Sequence, residues 1–318
     1  VKRAIAVVVS ISILAAIFYK IDLRGLLNNL MHMERWYFAL SISMFIPQFL
    51  VMARRWQVMI QDHCKITLWE SMWLVLAGNT LNIVLPTKLG DFAKTVYHRN
   101  KYGLELKKGV FLTILEKSLD LASIGALILI GSLFIGEKNK IIYTSMLLAA
   151  ITILSVIFLF TFNIRRLNLH RLLSRFKFGN KVAEFVNKWE EAKASQKANK
   201  LRLAKIVLFS IMLWVLHIGQ IYLFFLALRS SVSPAVVLVL APMSILVGLL
   251  PISFGGIGTR DAALIYLFAP YENATLMASV GLLSTLRYFI PALCGLPFLP
   301  RLGFKPSELE SAKEVEVA

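Results

Sequence analysis

The sequence predicts an all-α, polytopic integral membrane protein with about six full spans and two re-entrant helical hairpins of opposite topology, arranged as an inverted repeat. Three observations predict it. Apolar residues make up 58% of the 318-residue chain, with a mean hydropathy of +0.69; soluble domains run at about 45–50%. The excess sits in long runs, each the length of a bilayer-crossing helix. Lysine and arginine crowd into alternate connections, as in membrane proteins that keep positive loops inside. Two further apolar stretches are broken by proline and glycine in a shared pattern, Leu85-Pro86-x-x-Leu89-Gly90 and Leu250-Pro251-x-x-Phe254-Gly255. Paired interruptions of this kind mark transporter-like repeats with a site near the bilayer midplane.

Spanning the hydrocarbon takes about 20 apolar residues, which places full spans at 3–19, 36–53, 109–135, 141–162, 206–228 and 274–299. The first resembles a signal peptide, with Lys2 and Arg3 before an apolar run. Tyr19-Lys20-Ile21 offers no small-residue cleavage site, so it is expected as a retained helix, short enough to tilt or lie partly in the interface. The segment 163–205 carries twelve Lys and Arg against Glu184, Glu190 and Glu191, which makes it cytoplasmic. Its apolar residues recur amphipathically, from Leu169, Leu172 and Leu173 to Phe185 and Trp189. It is expected either to lie on anionic lipid of the inner leaflet or to pack as a helical hairpin. Counting spans outward puts both termini in the cytoplasm, and the lightly charged loops 136–140 and 229–233 outside. Residues 1–306 read as a single transmembrane domain, and 307–318 as a disordered polar tail.

The net charge of +17 does not point to nucleic acid, because the basic residues fall in short loops between apolar runs. Cys64 and Cys294 have neither zinc-site spacing nor the setting of a disulfide, and His217 in its apolar helix reads as a packing residue.

The two broken stretches are too short on one side to span. Residues 68–86 run into Asn79, Asn82 and Pro86; after Gly90-Asp91 the arm 92–100 reaches only about 14 Å, half the hydrocarbon. Both ends of 68–100 carry cytoplasmic charge, so it re-enters from that face. In 234–270 a long arm, 235–250, meets the glycine cluster and a short arm, 262–269, follows; both ends lie outside.

Non-helical backbone at membrane depth must be buried in protein or line a watery cavity. Pro86 and Pro251 break the arms, while Gly90, Gly255, Gly256 and Gly258 permit tight turns; close helix packing is the alternative use of those glycines. A helix starting near Asp261 presents N–H groups beside Arg260, an end that attracts anions. Charges within membrane segments are functional candidates by default. Here they are Lys88, Asp91 and Lys94, then Glu116, Lys117 and Asp120, then Arg260, Asp261 and Arg287: five basic and four acidic, a surplus of one that suits an anionic guest. Glu116 and Asp120 share a helix face, either as counter-charges to Lys88, Arg260 or Arg287, or as proton carriers. Arg54-Arg55-Trp56 reads as an interface anchor closing the second span. No phosphate loop, nucleophile elbow, Rossmann glycine motif or metal-ligand histidine pair is present, so neither catalysis nor a cofactor is expected.

Three motifs in order carry a family resemblance: Asn79-x-x-Asn82-x-x-Leu85-Pro86-x-Lys88-x-Gly90-Asp91-x-x-Lys94, Glu116-Lys117-x-x-Asp120, and Pro251-x-Ser253-x-Gly255-Gly256-x-Gly258-x-Arg260-Asp261. Over nearly its whole length the chain resembles the flippase-like transmembrane region of lysylphosphatidylglycerol synthases and its stand-alone relatives. The resemblance implies a lipid-translocating domain of a bacterial or archaeal cytoplasmic membrane, with these polar residues along the headgroup path. Lysine stands at 88, 94 and 117 where the family often has arginine, which keeps charge but loses bidentate geometry, and Asp261 stands for a glutamate. Only a short tail follows Arg301, so lysine transfer to lipid is not expected of this chain. The expected guest is a lipid with a polar, anionic or phosphorylated headgroup. A transporter of a small soluble anion, or an enzyme or accessory subunit acting on lipid-linked glycans or phospholipids, are the alternatives.

Overall fold

A computed structural model describes residues 21–84, 90–136, 139–162, 198–249 and 256–303, together with isolated positions in 12–19 and 187–196 and Ser253. Most of the first span, the tail and segment 163–186 fall outside the described residues, as do Lys88 and Gly255.

The described residues form helices α1 (Leu23–Met31), α2 (Arg35–Ser43), α3 (Phe45–Ile60), α4 (Leu68–Val84), α5 (Ala93–Tyr102), α6 (Leu106–Leu133), α7 (Lys140–Thr161), α8 (Lys200–Ala227), α9 (Pro234–Leu249), α10 (Thr259–Phe268) and α11 (Ala274–Gly295), with a 3₁₀ turn at Leu296–Leu302. Local chemistry explains several ends. The Asp22 carboxylate accepts from Arg24 N at 3.0 Å and caps α1. Gly103 closes α5 at φ 69°, a left-handed position at which glycine carries no Cβ penalty. Pro234 opens α9, where its missing N–H costs nothing.

Among the described residues four helical stretches are long and apolar enough to cross a membrane: Arg35–Ile60, Lys140–Thr161, Lys200–Ala227 and Ala274–Leu302. The chain is thus an all-α membrane protein. Helix α6 has 28 residues, and its middle holds Glu116, Lys117 and Asp120. The second span is longer than expected, continuing to Ile60 instead of ending at residue 53. Arg54-Arg55-Trp56 therefore does not close it. Arg54 stays exposed, but Arg55 is 1% exposed and Trp56 is fully buried, which overturns their reading as an interface anchor.

The chain forms two compact units. One comprises 1–48, 123–151 and 213–293 and contains the α9–α10 pair; the other comprises 49–122, 152–212 and 294–318 and contains the α4–α5 pair. In the first unit the core is Phe224, Phe225, Val237, Leu240, Phe268 and their neighbours. Buried amides help hold it: Gln48 Nε2 donates to Gln220 Oε1 at 3.0 Å, and Gln220 Nε2 to the Ser41 carbonyl at 2.8 Å. Such bonds join helices where apolar burial gives no preference over lipid.

In the second unit the core is Trp56, Met59, Ile60, Phe111, Leu112, Trp189 and Ile206. Trp189 stands edge-on to Phe111 with centroids 4.7 Å apart. Buried Lys193 bonds Glu190 at 2.7 Å and the Phe162 carbonyl at 2.9 Å. Of the described residues between 187 and 196, Trp189, Glu190, Ala192, Lys193 and Gln196 pack into protein, because the aromatic side chain finds a core and the lysine finds an acid.

Each broken pair doubles back. In α4–α5, Glu70 at the start meets Tyr97, Lys101 and Tyr102 near the end, while Gly78 meets Gly90. In α9–α10, Gly248 packs against Arg260 and Gly256.

Candidate functional site

Two groups of charged side chains form, one in each unit. In the second unit the spacing of Glu116 and Asp120, one helical turn apart on α6, sets two carboxylates on one face. The Arg55 guanidinium spans them, donating to Glu116 Oε1 at 2.7 Å and Asp120 Oδ1 at 2.5 Å, with Ser210 Oγ at 3.0 Å. A planar fork suits this two-carboxylate geometry as an ammonium does not. The second Glu116 oxygen takes Lys94 Nζ at 2.5 Å, and that ammonium lies 4.2 Å from the Trp56 ring centroid. Beside them Lys117 pairs with Asp91 at 3.1 Å, and Asn82 Nδ2 donates to the other Asp91 oxygen at 3.0 Å. Three cations face three carboxylates. Balanced charges make burial tolerable, with Arg55 Nε and Asn82 Oδ1 left without a hydrogen bond among the described residues.

A small cleft opens onto this group, lined by Met52, Gly78, Asn79, Asn82, Gly90, Asp91, Lys94, Glu116 and Lys117. It admits only water-sized guests in this conformation. Gly90 makes the geometry possible: a Cβ there would overlap the Gly78 carbonyl. Lys117 is 45% exposed, whereas Glu116 next to it is 1% exposed.

In the first unit Gly256 and Gly258 take φ 81° and 91°, conformations that glycine alone adopts without strain. They lead into α10, where Asp261 Oδ2 accepts from Gly258 N at 3.0 Å. Ser253 and Thr259 hydroxyls meet at 2.6 Å. Arg260 donates to Asp261 Oδ1 through Nε (3.0 Å) and Nη2 (2.6 Å), and to Thr285 Oγ1 and the carbonyls of Gly281 and Ser284 on α11. The helix end expected to attract an anion is therefore answered from within by Asp261, because a carboxylate three residues in reaches back to the free N–H. Arg287 lies buried on α11, with Nη2 2.6 Å from Tyr288 Oη.

The structure thus gathers Asn79, Asn82, Asp91, Lys94, Glu116 and Asp120 in one unit, and Ser253, Gly256, Gly258, Arg260, Asp261 and Arg287 in the other. The counter-charges of Glu116 and Asp120 are Arg55 and Lys94; the expected pairing with Arg260 or Arg287 is replaced, and Lys88 lies outside the described residues. Arg55 is the residue that motif reading missed. A signal existed: Val51, Arg55 and Met59 recur every fourth residue on a buried helix face, while Arg54 falls off it. Among the described residues no cluster of His, Cys, Asp and Glu is placed to hold a metal.

Membrane-length helices, two broken helix pairs and charged groups paired along them define a polytopic helical membrane protein. Residues 3–295 match the model for the lysylphosphatidylglycerol synthase TM region, and the chain belongs to that family, one tied to lipid metabolism or transport. It is also 25% identical to a UPF0104 membrane protein of Methanocaldococcus jannaschii, over 92% of this chain and 93% of that relative.

Proposed function

We propose that this protein moves a lipid with a polar, anionic or phosphorylated headgroup between leaflets of a bacterial or archaeal cytoplasmic membrane, with both termini in the cytoplasm. The observation that carries the proposal is the Lys117–Asp91 pair. Lys117 is the twelfth residue of α6, about 16 Å along it by helical rise, and yet half-exposed toward a cleft. An ionised group at such depth faces a polar path or a partner, since lipid would penalise it heavily. The cleft wall carries the polar groups of Asn79, Asn82 and Lys94 among apolar ones such as Met52 and Val75, and one side is a broken helix pair, the element that forms midplane sites in transporters. In this reading 68–100 and 234–270 re-enter from opposite faces and gate in turn, while acyl chains stay in the bilayer. The family relation to a lipid synthase's membrane region supports a lipid guest. The small size of the cleft favours a second reading, transport of a small soluble anion.

The test is leaflet exchange of headgroup-labelled anionic and zwitterionic lipids in vesicles containing the purified chain, read by dithionite quenching. Protein-dependent exchange is expected, reduced about tenfold or more in Lys117→Gln, the loss of a transition-state interaction worth about 1.4 kcal/mol. No exchange by folded protein, with or without a proton gradient, overturns the lipid reading; anion uptake into neutral vesicles then supports the second.

A further inference from the structure

Five other buried cations, Arg55, Lys94, Lys193, Arg202 and Arg260, each have a carboxylate within ion-pair distance. Arg287 has none among the described residues, although it is only 7% exposed. Its bonds are one to the Tyr288 hydroxyl at 2.6 Å and a marginal one to the His217 carbonyl at 3.5 Å. Its Nε has no partner among the described residues. One turn earlier on the same face of α11, the Ser284 hydroxyl is also buried, 2% exposed, and also has no partner among the described residues. A buried guanidinium without a counter-charge and a buried hydroxyl without a bond are each costly, and the two occur together three residues apart. An oxyanion answers both at once.

We propose that Arg287 and Ser284 form a seat for a phosphate-class oxyanion, a lipid phosphodiester or a free phosphate. The guanidinium fork matches two oxygens of such a group, and the hydroxyl donates to one of them. Tyr288 positions the guanidinium, whose carbon lies 4.7 Å from its ring centroid. Arg260 does not bind the guest: its charge is met by Asp261 and its donors by Thr285 and two α11 carbonyls, so it is a positioning residue that holds α10 against α11. The seat deepens the lipid-translocation reading and rests on it for the claim that the guest is a lipid.

The test compares wild type, Arg287→Gln and Ser284→Ala as full-length purified protein. Thermal melting in a neutral detergent is followed with inorganic phosphate, and native mass spectrometry with phosphatidylglycerol. Without ligand, Arg287→Gln is expected to melt about 2–4 °C higher than wild type, since an uncompensated buried charge is removed, and to lose the anion response. Ser284→Ala is expected to melt slightly higher than wild type, since an unbonded buried hydroxyl is removed, and to bind about tenfold more weakly, the effect of one hydrogen bond to a charged group. A response to inorganic phosphate identifies a soluble anion as sufficient; a response to phosphatidylglycerol alone identifies the lipid headgroup. Lower melting of unliganded Arg287→Gln, or equal anion binding by wild type and Arg287→Gln, including none by either, overturns the seat. Leaflet exchange separates the two claims. Exchange by wild type with unchanged binding in Arg287→Gln sinks the seat and spares translocation; Arg287-dependent binding without exchange does the reverse.

Discussion

At the scale of single residues, Arg55 organises the ionic group of the second unit, and its removal should show it. Arg55→Met leaves buried Glu116 and partly buried Asp120 with one cation fewer, a loss of about 3–5 kcal/mol. Adding Glu116→Gln should recover part of this, because the two side chains touch and their effects are coupled. The check is a double-mutant cycle of thermal melting in detergent; additive losses would mean that the ion pair does not form. All the charges of this group except Arg55 were legible in the sequence. Glu116 and Asp120 are four apart, so their common face follows from helix geometry alone. Arg55 is separated from them by 61 and 65 residues, and nothing local says which helix will bring the cation.

At the scale of elements, close backbone approach decides how each broken pair folds. Gly90→Ala drives a methyl group into the Gly78 carbonyl, which as backbone cannot swing aside; about 1–3 kcal/mol of stability should be lost, the range for overpacking. Gly219 on α8 is the control. Nothing lies within 4 Å of a Cβ placed there, so Gly219→Ala should stabilise the protein by about 0.5–1 kcal/mol through helix propensity. Opposite shifts in melting temperature are expected, and equal shifts would remove the argument. Proline and glycine made the breaks visible in advance. The length of α3 was not visible, because Arg54 and Arg55 lower hydropathy where the helix in fact continues. Hydropathy measures transfer to lipid, and Arg55 is transferred to protein, where two carboxylates meet it.

At the scale of the whole molecule, the orientation remains a prediction of charge distribution. In a Cys64→Ala/Cys294→Ala background, Asn100→Cys should react with a membrane-impermeant maleimide only in inverted vesicles, and Ser231→Cys only in right-side-out vesicles. Both positions are exposed. The reverse pattern would invert the topology and exchange the faces from which the two broken pairs open. Labelling of both from one side would remove the opposite-facing repeat.

The sequence by itself determined the solvent, the helical class, the positions of the two breaks and the inventory of charges, because hydropathy, period and the special residues proline and glycine act within a few residues of one another. Only the tertiary structure decided how the charges are shared: Arg55 enters the site, Asp261 neutralises Arg260, and Arg287 has no carboxylate partner among the described residues. Those outcomes depend on which helix faces pack together, and packing between distant segments follows from the shapes of many side chains at once.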